Sequence, residues 1–291
     1  MPTPAIPRFD VAAVNAAVAG TEFAGRVQHL ATIPSTNSFA LAIAHSGARH
    51  GVWIADEQTA GRGRGTHHWH SAAADGLYMS ALVAPPIPLD VAQRLSFRTA
   101  IAVQAAIAST FGFAVKHQID IRWPNDLMIA RPSQVSAPQR KVGGILIETS
   151  ANPAPAHTPA MLRFAVIGIG VNVNHTAFPS ELDAIATSLR RELPQPAEPL
   201  RREALAAAIL VALDEEIRLL IRGWRGTGNR PDRDLTQFSS WLSGKRVYIE
   251  SRDGNPGYTA TTAGLDIHGF LSVTADDGST RTVLSGGLRE L

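Results

Sequence analysis

Apolar positions recur along this chain in short runs and in helical stripes, and the two kinds of segment alternate as a layered α+β fold requires. Residues 26–33, 52–55 and 77–84 read as strands. Between the first two, Ser35, Thr36 and Asn37 place hydroxyl and amide groups at the start of a helix that runs to about His45 and closes at Gly47. Asp10 caps a shorter helix over 11–18. Asp90 opens a long one to about Thr110, with Leu95, Ala102, Ala105 and Ala106 on its inner side and Gly112 at its end. Residues 119–123 and 126–129 are short strands, and Pro124-Asn125 makes their join a turn of fixed direction. The strand 142–148 carries Gly143-Gly144, and the strand 162–173 carries Gly168 and Gly170, a mark of close backbone approach. Leu205, Ile209, Leu213, Ile217 and Leu220 stripe a helix over 199–221. Polar, proline-containing residues 131–139 read as a mobile loop, and 222–233 as a polar connection to a short helix ending near Leu242.

The rhythm changes at Gly244. Strands of five or six residues follow at 245–250, 258–263, 270–274 and 280–284, punctuated by Asp253-Gly254, His268-Gly269 and Asp277-Gly278. Two domains are expected, 1–242 and 243–291, the second too small to be sturdy unless docked on the first.

Composition narrows the class. With 45% hydrophobic and 18% charged residues the chain is an ordinary globular protein, and no apolar run approaches the length of a membrane helix. There is no cysteine, hence no disulfide, thiol nucleophile or thiolate metal site, and the start of the chain lacks the order of a signal peptide. The expected compartment is the cytoplasm. A net charge of only +2 argues against a dedicated nucleic-acid binder. The 27 basic residues include just three lysines, Lys116, Lys141 and Lys245, so a lysine beside Gly143-Gly144 stands out.

Candidate chemistry centres on residues 56–65, Asp-Glu-Gln-Thr-Ala-Gly-Arg-Gly-Arg-Gly. Its glycines let the backbone approach a ligand, and Arg62 and Arg64 offer forked donors for phosphate or carboxylate. Lys141 adds a compact charge. Asp126 could hold Mg²⁺ or a sugar hydroxyl, or simply complete a turn. Asn172 could read a base edge at the end of a glycine floor, or lie in a crowded helix–sheet contact. His67, His68 and His70 lack the spacing of a metal pair and read as part of a loop over the site. No serine-hydrolase elbow is found.

Ser35-Thr36-Asn37, Gln58 to Arg64, Trp69, Trp123 to Asp126, Lys141 to Ile145 and Gly168 to Asn172, in that order, resemble the motifs of the biotin–protein ligases. The resemblance implies a mixed central β-sheet flanked by helices, of the class II aminoacyl-tRNA synthetase and biotinyl/lipoyl ligase type, with a C-terminal SH3-like β-barrel. It implies ATP-dependent attachment of biotin to a lysine of a biotin carboxyl carrier protein through biotinyl-5′-AMP, with Mg²⁺ near Asp126. Carried onto this chain, Ser35, Thr36, Asn37 and Gln58 hold biotin's ureido end. Arg62, Gly63 and Arg64 form the biotin and phosphate loop, and Lys141 meets the carboxylate and α-phosphate. Asn125, Asp126 and Asn172 serve the nucleotide, and Lys141, Arg64 and Asp126 carry the chemistry. The loop departs from the family pattern at Gly65-Thr66-His67-His68. Only 34 residues precede Ser35, so no DNA-binding domain or repressor role is expected, and the chain is expected to be a monomer or homodimer. Two rivals stand beside this reading: a lipoate–protein ligase sharing the adenylation logic, and a non-enzymatic RNA-binding protein.

Overall fold

The computed structural model describes residues 8–112, 119–129, 139–193, 198–227, 235–250, 256–266, 269–284 and 287–291. Lys116, most of the expected loop at 131–139 and the Asp253-Gly254 turn lie outside them. Seven strands form one mixed sheet: β1 (Val27–Ile33), β2 (Gly51–Gln58), β3 (Gly76–Val83), β4 (Ile119–Arg122), β5 (Asp126–Ile129), β6 (Arg140–Ala151) and β7 (Leu162–Asn172). Their order is β1-β2-β3-β7-β6-β5-β4; β1 and β2 run parallel and the remaining pairs antiparallel.

Strand alternation gives the sheet two different faces. Leu77, Met79, Ala81 and Val83 of β3 and Ala165, Ile167, Ile169 and Val171 of β7 all enter the main core. Helix α4 (Leu95–Phe111) and the helix Arg202–Thr227 cover that face. They are joined by a buried ion pair, Arg98 to Glu216 at 3.0 Å. The other face is polar and glycine-lined at one end, and helix α2 (Thr36–His45) packs on the rest. Ala40 and Ala44 let α2 close onto Trp53, Leu82, Phe164 and Val166. Ser35 caps α2, its hydroxyl accepting from the Ser38 amide.

Four helical expectations are corrected. Residues 89–111 are not one helix: a single turn, α3 (Leu89–Ala92), precedes α4, because amides 93 and 94 bond back only three residues and tighten the turn. Ala105 faces solvent, not the core. The long helix continues to Thr227, because Trp224 packs on the core and carries the polar stretch with it. The short helix before Leu242 is two 3₁₀ turns.

The C-terminal strands are β8 (Ser243–Ile249), β9 (Tyr258–Leu265), β10 (Leu271–Ala275), β11 (Thr280–Val283) and β12 (Leu288–Glu290). They form an antiparallel sheet in the order β11-β10-β9-β8-β12. Among the described residues it is an open sheet, not a closed barrel. Strand β12 has no counterpart among the sequence-predicted strands. It pairs with β8, and Gly287 and Leu288 reach the pocket on the main sheet. No described helix is long and apolar enough to cross a membrane.

Candidate functional site

A pocket of about 340 Å³ lies over the polar face of β3, β7 and β6. Its floor follows from register. Tyr78, Gly170 and Gly144 lie side by side across the three strands, and so do Ser80, Gly168 and Leu146. A Cβ on Gly168 would stand 2.4 Å from Asn37 Oδ1, and one on Gly170 would stand 2.6 Å from the Trp69 ring. Glycine is required there by what lies above it, which is the close approach its spacing predicts.

The end wall is a chain of neutral hydrogen bonds at the start of α2. Gln58 Oε1 accepts from the Thr36 amide (2.9 Å) and hydroxyl (3.1 Å), and Gln58 Nε2 donates to Ser71 (2.9 Å). Ser80 Oγ lies 2.8 Å from Thr36 Oγ1 and 2.9 Å from Asn37 Oδ1. Asn37 Nδ2 donates to Glu148 Oε2 at 2.7 Å. Arg62 grips the same carboxylate with both terminal nitrogens, at 3.0 and 2.8 Å.

The glycine–arginine loop folds back as a small hairpin. The Gly63 amide donates to the His67 carbonyl (2.8 Å), the Trp69 amide donates to the Gly61 carbonyl (2.9 Å), and Gly65 turns with φ +62°. The hairpin lays Trp69 on Gly144 and Gly170, with Lys141 Nζ 5.4 Å from its ring centroid.

The opposite end holds cations. Asp126 accepts from Lys141 Nζ at 2.6 Å and from Arg122 at 2.7 Å. Burial pushes the Asp126 carboxyl up, but Lys141 and Arg122 more than offset it and hold it below the ordinary carboxylate range. Arg64 reaches Asn125 Oδ1 at 3.4 Å, and Asn125 Nδ2 donates to the Ile145 carbonyl. The Trp123–Pro124 bond is cis, within the turn that carries Asn125 and Asp126.

Ser35, Thr36, Asn37, Gln58, Arg62, Gly63, Arg64, Asn125, Asp126 and Lys141 all line this one pocket. Asn172 does not. It is buried at the end of β7 and donates to the Thr187 carbonyl at 3.0 Å. His67 and His68 line the pocket, whereas His70 packs behind it near His175 and Phe178. His175 is fully buried, its ring stacked on Phe178, and burial lowers its pKa to about 4. No group of three metal-capable side chains occurs among the described residues. Asp126, already shared by two cations, does not fit a protein-held Mg²⁺. Sequence reasoning missed Glu148, Ser80 and Arg122. Glu148 was within reach: strand alternation puts it on the face of Gly144, a carboxylate ending an apolar strand.

A polar wall and a cation cluster are thus joined by a glycine floor in one pocket. The family model for the biotin/lipoate A/B protein ligase family matches residues 30–172. The bifunctional ligase/repressor BirA of Bacillus spizizenii is 33% identical over 257 residues, spanning 86% of this chain and 71% of that protein. The biotin–[acetyl-CoA-carboxylase] ligase of Mycobacterium tuberculosis is 30% identical, spanning 87% of this chain and 84% of the relative. The same fold occurs in the biotin protein ligase of Aquifex aeolicus solved with biotin and ATP, with a TM-score of 0.67 at 22% identity over 92% of this chain and 100% of that one. The chain belongs to the biotin–protein ligase family.

Proposed function

We propose that the chain attaches biotin to a lysine of a biotin carboxyl carrier protein, using ATP and passing through biotinyl-5′-AMP. One observation carries the reading: a single pocket joins a hydrogen-bonding wall to Lys141 and Arg64 across a glycine floor. The named activities of the 33% and 30% identical relatives support it.

In the first step a biotin carboxylate oxygen bonds to the α-phosphorus of ATP and pyrophosphate leaves. Two anions must meet, so positive charge fixed in place lowers the barrier. Lys141 supplies it between carboxylate and α-phosphate, with Asp126 holding its ammonium in position. Arg64 supplies it from the loop. A magnesium ion would arrive on the triphosphate, whose oxygens suit it. In the second step the neutral amine of the carrier lysine attacks the acyl carbonyl, the amide forms as the nitrogen gives its surplus proton to the departing phosphate, and AMP leaves with the bonding electron pair. The Gly61–Trp69 hairpin shields the mixed anhydride from water meanwhile. Ser35, Thr36, Asn37 and Gln58 hold the ureido ring. Asn172, packed on Thr187, acts on the nucleotide only through the end of β7. We assign residues 1–242 to the catalytic domain and 243–291 to the smaller one, and place the protein in the cytoplasm, where ATP and carboxylase carriers reside.

The test is incubation with ATP, Mg²⁺ and labelled biotin, with and without a carboxylase carrier domain. Label should appear on the carrier's lysine and require both ATP and the carrier. Transfer of lipoate in preference to biotin would move the chain to the rival ligase class, and no transfer of either would end the reading.

A further inference from the structure

Resting on the biotin-ligase reading, we infer that Glu148 is a positioning residue: through Asn37 it sets the hydrogen-bond direction of the pocket's end wall and so tunes selection of the acid's head group. A carboxylate only accepts, so Asn37 must turn its NH₂ toward Glu148 and its Oδ1 toward Ser80. At the other end of the wall, Gln58 Nε2 donates to Ser71, which leaves Gln58 Oε1 to take the Thr36 hydroxyl proton. Ser80 has a single proton for Thr36 or Asn37. The Thr36 and Ser80 hydroxyl protons and one N–H each of Asn37 and Gln58 are thus spent along the chain, which leaves hydroxyl and carbonyl lone pairs, with the second N–H of each amide, for a ligand. That pattern accepts the ring N–H groups of a cyclic urea and offers little to a dithiolane. A neutral amide at position 148 would carry a donor as well as an acceptor, and so would no longer require that direction of Asn37.

The same carboxylate neutralises Arg62 through a two-pronged contact. Arg62 is therefore fixed against β6 and anchors the base of the hairpin, while Arg64 projects to the far end. The two arginines of the loop have different work, and Glu148 separates them.

The experiment is a double-mutant cycle of Glu148→Gln and Asn37→Ala, read by steady-state kinetics with biotin and ATP varied separately. Glu148→Gln should raise KM for biotin about tenfold, leave KM for ATP and kcat within about twofold, and narrow the preference for biotin over lipoate. In the Asn37→Ala background the same change should add less than about threefold, because the link to the wall is gone and only the Arg62 contact is left to act through. Additive effects, or parallel changes in both KM values and kcat, would overturn the inference, since a merely structural carboxylate would give them. If Glu148→Gln does not fold, the cycle is run with Glu148→Asp, which keeps the charge but draws it back from Asn37, with the same outcomes. Wild type separates the two levels: a wild-type enzyme inactive with biotin sinks the functional reading, while an active one with an additive cycle sinks only the role of Glu148.

Discussion

The two ends of the pocket are built on opposite principles. At the end wall each polar group has a partner, and the one strong charge, Glu148, is matched by Arg62. At the far end Lys141 and Arg122 grip a single half-buried carboxylate, Asp126, and Arg64 reaches the neighbouring Asn125. On the proposed function, the wall would recognise by direction and shape, and so be finished before a ligand arrives. The far end would stabilise charge that exists only when phosphate is present, which suits its excess of cations and the one internal anion that holds them in place. Binding energy belongs to the first and rate to the second.

Lys141→Ala tests the rate end and should have the largest effect: adenylate formation falling about 10²- to 10³-fold with KM for biotin little changed, measured by single-turnover kinetics. A large rise in that KM would show that the two ends are not separable. Gly168→Ala tests the wall. The new methyl meets Asn37 Oδ1, so kcat/KM for biotin should fall about a hundredfold while the rate at saturating biotin survives better. Arg64→Gly should leave adenylate formation within about tenfold and release biotinyl-adenylate into solution, seen by chromatography of the filtrate. Retention of the adenylate would remove Arg64 from the cover. The smallest effect concerns His175 behind the pocket. Its folded pKa, about 4, lies below the unfolded value of about 6.5. The unfolded chain therefore takes up more protons between those values, and stability should drop as pH falls through that window. His175→Gln should flatten that part of the curve of melting temperature against pH, and an unchanged slope would contradict the burial argument.

Local chemistry made much of this site legible in sequence. Paired glycines, the Ser-Thr-Asn helix start and the Gly-Arg loop each name a backbone need, and strand alternation then places them on one face. What was hidden depended on pairing across the sheet. Ser80 matters because register sets it beside Gly168, and no local signal states which strand neighbours β3. Asn172 ends the glycine strand as its sequence suggests, yet its side chain turns to Thr187, a partner supplied by a segment with no motif. The helix break near Gln93 and the extension through Trp224 are likewise tertiary outcomes, decided by what the core accepts. Strand β12 was missed because three residues at the end of a chain carry almost no periodicity.

On the proposed function, one pocket brings biotin's carboxylate to the α-phosphate of ATP. Isotope exchange between pyrophosphate and ATP measures that step alone, with no carrier needed. Exchange should depend on biotin, be feeble with lipoate, and collapse in Lys141→Ala. Exchange without biotin, equal exchange with lipoate, or undiminished exchange in Lys141→Ala would contradict it.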